Sequence, residues 1–174
     1  MIPGFTVLEL LVTLSLTGIL LAAAVPSFET FSQRQQMKAA VNTLQNDLMM
    51  SRSSAVHLGS RIVACPGSPA TGCLGNPDWG AGWIVFADGN TDRQRQPDET
   101  LIRIGQAVDN MVIRSNAGRT QVRFLPDGSA PGSNSSITFC GLGGPAQARK
   151  LVISNIGRIR RDTAEDLDLS FCPT

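Results

Sequence analysis

The feature that most constrains this chain is a long apolar run near its start, from Phe5 to Phe28, which contains one charged residue, Glu9. A helix of that length, at 1.5 Å rise per residue, spans roughly the 30 Å hydrocarbon core of a bilayer. An ionised carboxylate in that layer costs at least about 2.5 kcal/mol, so Glu9 should have a cationic partner. The run therefore predicts a membrane-anchored chain in which Glu9 has a function.

Two interpretations of this run compete. In the first, it is an ordinary secretory signal that is cut after Ala22–Ala24 and releases a soluble β-domain. Such a signal needs a positively charged first region, yet no Lys or Arg precedes Arg34, and Glu9 is left without a role. In the second, the run is retained, and a cut just before Phe5 frees an α-amino group that can pair with Glu9. We favour the second interpretation.

The segment from Gly4 to Leu11, GFTVLELL, resembles the class III signal of type IV pilins and type II secretion pseudopilins. The resemblance implies a leader peptide over residues 1–4, cleavage after Gly4 by a prepilin peptidase, and N-methylation of Phe5. It also implies that Glu9 pairs with the N-terminal amine of a neighbouring subunit during assembly.

Beyond the apolar run the pattern becomes amphipathic, because apolar residues recur mostly every three or four positions up to residue 55. This predicts one helix from Phe5 to Val56, about 78 Å long, which Pro26 kinks or breaks locally. Its transmembrane half is expected over residues 5–28, and its amphipathic half over residues 29–58.

From residue 59 onward, short apolar or alternating runs separated by Gly, Pro, Asn and Asp predict antiparallel strands without βαβ alternation. The fold class is therefore α+β, with a long helix packed on a β-rich globular head over residues 59–174. The nine runs cover residues 61–65, 82–87, 100–104, 107–114, 120–125, 136–140, 150–154, 157–161 and 167–171.

The four cysteines contain no Cys-x-x-Cys pair, and the single histidine, His57, is distant from all of them in sequence. This pattern argues against zinc and predicts no metal site. Two disulfides in an exported domain explain the even number better. Of the three possible pairings, we favour Cys65 with Cys73 and Cys140 with Cys172.

Three further features resemble the GspH/FimT group of the pilin superfamily. They are the cysteines that bracket the Pro/Gly loop of residues 65–73, the segment Trp79–Asp88, and the sequence GRIR at residues 157–160. The resemblance implies a type IV pilin fold with a two-sheet head. It also implies a minor pilin or minor pseudopilin whose partners are other pilins in a filament.

The net charge is only +1, from 15 Lys and Arg against 14 Asp and Glu, which taken whole argues against an obligate nucleic-acid binder. The charges are segregated, however. Residues 101–161 contain nine basic and two acidic side chains, a local charge of +7. Thirteen of the 15 cations are arginines, whose planar guanidinium suits phosphate. Such a distribution can mark an anionic partner, but an ordinary surface with unevenly placed arginines shows it too, and on charge alone we favour the ordinary surface.

The motif that best fits such a partner begins at Gly157, which predicts a tight turn that lets the backbone approach a ligand closely. In a strand, Arg158 and Arg160 share one face about 6.6 Å apart, while Ile159 enters the core. Each guanidinium can bind a phosphate bidentately. An ordinary solvated strand face would show the same pattern, so the argument also depends on the family.

In FimT-like minor pilins, a Gly-Arg-x-Arg motif at this place is associated with DNA binding in natural transformation. The resemblance therefore implies sequence-independent binding of double-stranded DNA, weak and salt-sensitive, with a Kd on the order of 10⁻⁴ to 10⁻⁶ M. The predicted DNA-binding residues are Gly157, Arg158, Arg160, Arg161, Lys150 and Arg149.

The segment from Asp88 to Glu99 has the spacing of a calcium-binding EF-hand loop, but Arg93 stands where the sharp turn needs glycine. We expect a loop capped by Asx turns instead. No arrangement of nucleophile, base and phosphate-binding glycines is present, so neither catalysis nor a cofactor is expected.

Together these observations predict a minor type IV pilin with a single inner-membrane span and a periplasmic head, which later enters a pilus at the cell surface and binds DNA there. The alternative is a structural minor pilin, or a GspH-like type II secretion pseudopilin at the filament tip, that binds no DNA.

Overall fold

The computed structural model of the chain describes residues 6–141, 147–163 and 171–172, with the side chains of Ala23, Pro26 and Thr163 left out. The chain divides into two compact units, Met1–Gln36 and Met37–Thr174. The sequence-predicted division at residues 58 and 59 remains a prediction.

Helix α1 extends from Val7 to Leu58. Thr6 caps its start, because the Thr6 hydroxyl accepts a hydrogen bond from the backbone N–H of Glu9 at 3.2 Å. At the other end, Gly59 has a φ of +58°, the left-handed conformation that commonly follows a helix. The helix is continuous through position 26, so the predicted local break does not occur.

The apolar side chains in the first unit are exposed, with Val7 77% and Ile19 69% accessible. Among the residues that the structure describes, α1 is the one helix long and apolar enough to cross a membrane. Its most apolar 18-residue window has a mean hydropathy of 2.2.

The second unit contains two antiparallel sheets. The first sheet has the order β2-β1-β3-β4, and β6 also pairs with β1, at residues 62–64. Its strands are β1 (Ile62–Ser68), β2 (Gly72–Cys73), β3 (Trp83–Ala87), β4 (Leu101–Gly105) and β6 (Val122–Phe124). The second sheet has the order β5-β7-β8-β9, formed by β5 (Met111–Ser115), β7 (Ser135–Gly141), β8 (Arg149–Ile153) and β9 (Ile159–Thr163).

This architecture confirms the predicted α+β fold with a two-sheet head. Eight of the nine predicted runs overlap a strand, and the ninth, residues 167–171, lies almost wholly outside the described residues. The two-residue strand β2 was not predicted, because it is too short to show alternation.

The core lies between the second half of α1 and one face of each sheet. The buried helix residues recur at helical spacing, as the sequence predicts, and they pack with Trp79 and Trp83. The indole N–H of Trp83 donates a hydrogen bond to Asp47 of α1 at 2.9 Å, which ties the helix to the first sheet. The buried helix residues are Met37, Ala40, Val41, Leu44, Leu48 and Ala55.

Two disulfides close the head in the pairing favoured from the sequence. Cys65 pairs with Cys73 across the β1–β2 hairpin, and Cys140 of β7 pairs with Cys172 near the C-terminus. The second bridge closes the longer loop and holds the C-terminal segment against the second sheet.

Candidate nucleic-acid interface

The arginine motif is presented by the hairpin between β8 and β9. The turn is closed by a hydrogen bond from the Gly157 N–H to the Ser154 carbonyl at 2.8 Å and by another from the Ser154 N–H to the Arg158 carbonyl at 3.0 Å. Gly157 has a φ of +75°, which glycine adopts without steric cost. The tight turn predicted from this glycine is therefore present.

Gly157 is also held closely by the rest of the chain. A Cβ at this position would overlap the carbonyl oxygen of Gly128 and lie 3.1 Å from the Nε of Arg52. Arg52, on α1, donates a hydrogen bond to that same Gly128 carbonyl at 2.9 Å. The close backbone approach expected toward a ligand is thus an approach to Gly128, and it fixes the base of the hairpin.

The hairpin separates the motif's side chains between two faces. Ile159 packs against the core, whereas Arg158 and Arg160 are exposed. The strand register sets Val152 opposite Arg160 and Lys150 opposite Asp162, so alternation places Lys150 on the same face as Arg160. Lys150 and Arg160 therefore share the sheet face turned away from α1, and Arg158 is exposed at the turn that leads into β9.

Asp162 partly neutralises this face. Its carboxylate accepts a hydrogen bond from the Arg160 Nη1 at 2.8 Å, and the same two groups form an ion pair. The Arg160 side chain is 54% exposed, so the pair contributes only about 0–1 kcal/mol. Arg160 can therefore exchange this partner for another anion at low cost.

Two of the predicted DNA-binding residues lie on the opposite face. Arg161 faces the buried Leu151 across the strands, and its Nε donates a hydrogen bond to Gln45 of α1. Arg149 is opposite the core residue Phe139, and its guanidinium donates to the Ala148 carbonyl at 2.9 Å. The structure therefore groups Arg158 and Arg160 with Lys150 but not with Arg149 or Arg161.

A groove beside the hairpin brings in two side chains, one arginine and one histidine, that the sequence did not connect with the motif. Arg52 and His57, both on α1, line an open cavity of about 580 Å³ together with Arg158. They lie about a hundred residues from the motif, and no local spacing links them to it. The other lining residues are Met49, Ser53, Val56, Gly157 and Ile159.

The loop from Asp88 to Glu99 uses its polar side chains to hold its own backbone. Asp92 accepts a hydrogen bond from the Gln94 N–H at 2.8 Å, which lowers the pKa of that carboxyl. Glu99 accepts hydrogen bonds from the Gly89 and Gln96 N–H groups. The Asp92 bond is an Asx-type cap of the kind expected from the sequence. Among the described residues, no three His, Cys, Asp or Glu side chains converge on a metal position.

Of the three residues assigned to processing and assembly, Gly4 and Phe5 lie outside the described residues. Glu9 is in the first turn of α1 and is exposed. At that position its negative charge is favoured by the helix dipole.

Residues 40–157 match the protein family described as "Type II transport protein GspH". The matched segment extends from the buried half of α1 to the turn of the β8–β9 hairpin. The chain belongs to the GspH family. The match ends at Gly157, so Arg158 and Arg160 lie just beyond it, and the argument for their function depends on their own geometry.

Curated relatives and solved structures agree with this membership. The chain is 30% identical over 138 residues to the "Type IV major fimbrial protein FimA" of Dichelobacter nodosus, covering 72% of this chain and 83% of the relative. Its fold is similar to the type IV minor pilin FimU of Pseudomonas aeruginosa, with a TM-score of 0.59 and 20% identity over 78% of this chain and 95% of FimU. It is also similar in fold to the minor pseudopilin EpsH of Vibrio cholerae, with a TM-score of 0.52 and 8% identity over 74% and 97% of the two chains.

This GspH-family chain is thus a type IV pilin-like protein, a minor pilin or pseudopilin, with the fold that both groups share. The families to which it is similar are structural, and membership indicates association with other pilins in a filament. The long apolar α1 fits a membrane-anchored pilin.

Proposed function

We propose that this chain is a minor type IV pilin whose head binds the DNA backbone through Arg158 and Arg160, with Lys150 as a third contact, for uptake in natural transformation. The observation that carries the proposal is the exposure of Arg158 and Arg160 on one hairpin, with Lys150 on the same sheet face as Arg160. The turn of the same hairpin is held at Gly157 by Gly128 and Arg52, so the cations are presented on a rigid support.

The chemistry of this face predicts the kind of binding. Arginine pairs with phosphate through two parallel hydrogen bonds, and the contacts carry no sequence information. Binding should therefore be independent of sequence, with a Kd on the order of 10⁻⁴ to 10⁻⁶ M at physiological salt. Three phosphate contacts correspond to a slope of about −2.7 in log K against log salt concentration.

The proposal includes the life cycle implied by the N-terminal segment. The chain is cut after Gly4 by a prepilin peptidase, methylated at Phe5, and held in the inner membrane as a single span with its head in the periplasm. Glu9 then pairs with the terminal amine of a neighbouring pilin as the subunit enters the filament. In this scheme the chain has no catalytic role and uses no cofactor.

The test compares two double variants that remove the same charge from opposite faces. Arg158→Gln with Arg160→Gln removes both arginines of the proposed DNA contact, whereas Arg149→Gln with Arg161→Gln leaves them in place. Each full-length chain in neutral detergent is titrated into a labelled duplex in a mobility-shift assay at low and physiological salt. We expect the first pair to lose at least tenfold in affinity and about two units of salt slope, and the second to change both much less.

Two outcomes would contradict the proposal. Unchanged affinity in the Arg158 and Arg160 double variant would show that the motif does not bind DNA. Equal losses in both double variants would show a response to total charge rather than binding at one face.

A structural role in secretion is the second candidate function. The description of the matching family and the fold shared with the pseudopilin EpsH favour it. In that case the head binds only other proteins, at the tip of a pseudopilus or pilus. Deleting the gene distinguishes the two: loss of DNA uptake with intact pili supports the first function, and loss of pili or of secretion supports the second.

A further inference from the structure

A second group of arginines lies on the first sheet, on the face turned away from α1. Arg61 immediately precedes β1 and is opposite Asp88, whose N–H donates to the Arg61 carbonyl at 2.9 Å. The Arg61 Nη1 is 3.9 Å from the Asp88 carboxylate. The β1–β6 register sets Arg123 opposite Val63, so alternation places Arg61, Asp88 and Arg123 on one face.

Two further arginines converge on the same place from loops. The backbone N–H of Arg93 donates a hydrogen bond to the Asp88 Oδ1 at 3.4 Å, which places residue 93 beside this group. Arg119 donates a hydrogen bond from its Nη1 to the Gly132 carbonyl at 2.6 Å. A Cβ on Gly132 would lie 3.1 Å from the Nη2 of Arg123, so the guanidinium groups of Arg119 and Arg123 both lie beside Gly132.

The charges in this group do not balance. Asp88 is 1% exposed and can compensate one cation, yet the positive charges of Arg61, Arg93 and Arg119 all act on Arg123. Within the described part of the chain, the Asp88 Oδ2 accepts no hydrogen bond. Burial, followed by the positive charges of Arg93 and Arg61, lowers the pKa of Arg123. The repulsion among these guanidinium groups would be relieved by an added anion.

We propose that Arg61, Arg93, Arg119 and Arg123 form a second phosphate-binding site, which we call the β6 arginine site. A phosphate group supplies several acceptor oxygens and a full negative charge, which matches converging guanidinium forks better than a single carboxylate does. The site is on a different sheet from Arg158 and Arg160 and does not depend on their function.

The two basic sites are nevertheless joined by one loop. Gly128 contacts Gly157 at the hairpin, and Gly132 contacts Arg123 at the β6 arginine site. These glycines are four positions apart in the sequence, so their Cα atoms are at most about 14 Å apart. The phosphate can therefore come either from solution or from the backbone of a nucleic acid that also reaches Arg158.

Phosphate binding is tested with inorganic phosphate as the probe. The ¹⁵N-labelled full chain in zwitterionic detergent is titrated with phosphate, with chloride adjusted to hold ionic strength constant. We expect saturable shifts of the backbone amides of Gly132, Arg123 and Gly89, with a Kd in the millimolar range. The phosphate affinity measured from these shifts should fall at least tenfold in Arg123→Gln and severalfold in Arg93→Gln. Because the Arg93 side chain is exposed, its replacement is the safer variant for folding.

The matched control is Arg103→Gln, which removes the same charge from the opposite face of the first sheet. Absence of saturable shifts at Gly132, or equal weakening in the Arg103 variant, would overturn the proposal and leave the arginines as counter-charges for Asp88. The Arg158 and Arg160 double variant should retain the Gly132 shifts, so this site can fail or hold independently of the proposed DNA face.

A duplex titration then identifies the source of the phosphate. If it belongs to DNA, Arg123→Gln lowers DNA affinity and reduces the salt slope by about one unit. If it comes from solution, DNA affinity is unchanged while the phosphate shifts are still lost. Both results are consistent with the site. Whether the site binds phosphate is decided by the phosphate titration alone.

Discussion

Replacing Gly157 with alanine should destabilise the head far more than the same change at another left-handed glycine. At a φ of +75°, an L-residue costs about 1–2 kcal/mol. The added Cβ also overlaps the Gly128 carbonyl and forces it away from the Arg52 Nε, which it holds at 2.9 Å. Losing a hydrogen bond to a charged group costs about 1.5–3 kcal/mol, so the total is about 2.5–5 kcal/mol.

The control for this prediction is Gly118→Ala. Gly118 has the same φ of +75°, but a Cβ there meets nothing within 4 Å, so only the conformational cost of about 1–2 kcal/mol applies. Urea unfolding of the full chain in detergent, followed by the fluorescence of the buried Trp79 and Trp83, gives both free energies. A difference between the two variants below about 0.5 kcal/mol would refute the argument that Gly157 is required by its contact with Gly128.

Three further predictions concern single contacts. Asp47→Ala should cost about 1–3 kcal/mol in the same unfolding assay, because it leaves the buried Trp83 N–H without its acceptor, whereas Asp47→Asn should cost less than about 1 kcal/mol. Serine at both Cys140 and Cys172, which are 32 residues apart, should cost about 3.5 kcal/mol, and a loss below about 1 kcal/mol would contradict the loop-entropy argument. Asp162→Asn should raise DNA affinity between about 1.5- and 5-fold in the mobility shift, since it releases the second arginine of the motif from an exposed ion pair; a lowered affinity would count against that face.

Periodicity predicts much of this fold because each element has a distinct repeat. The three- and four-residue spacing of apolar side chains in the second half of α1 becomes the face that packs on both sheets. The alternation at residues 157–161 likewise predicts that Ile159 is inside and its two neighbouring arginines outside. Such patterns extend over a few consecutive residues, so they can be recognised in the sequence alone.

Contacts between segments that are distant in the sequence leave no comparable pattern in consecutive residues. The Gly128 carbonyl lies against Gly157 because a turn after β6 meets the β8–β9 hairpin, and Arg52 joins them from a helix about a hundred residues earlier. A glycine at residue 157 indicates a left-handed turn, but nothing adjacent to it identifies the group that it approaches. The actual neighbour of the turn therefore differs from the expected ligand.

The charge of +7 over residues 101–161 is a sum along the sequence, and it does not describe where those charges lie on the protein surface. Arg160 and Arg161 are consecutive, yet strand alternation directs one away from α1 and the other to Gln45 on α1. Arg123, in contrast, joins Arg61 only because β6 pairs with β1 across sixty residues of sequence. The position of a cation in a strand decides its face, and the strand order decides its neighbours. The arginines of one basic stretch are thus divided between two groups on different sheets, and each group requires its own binding experiment.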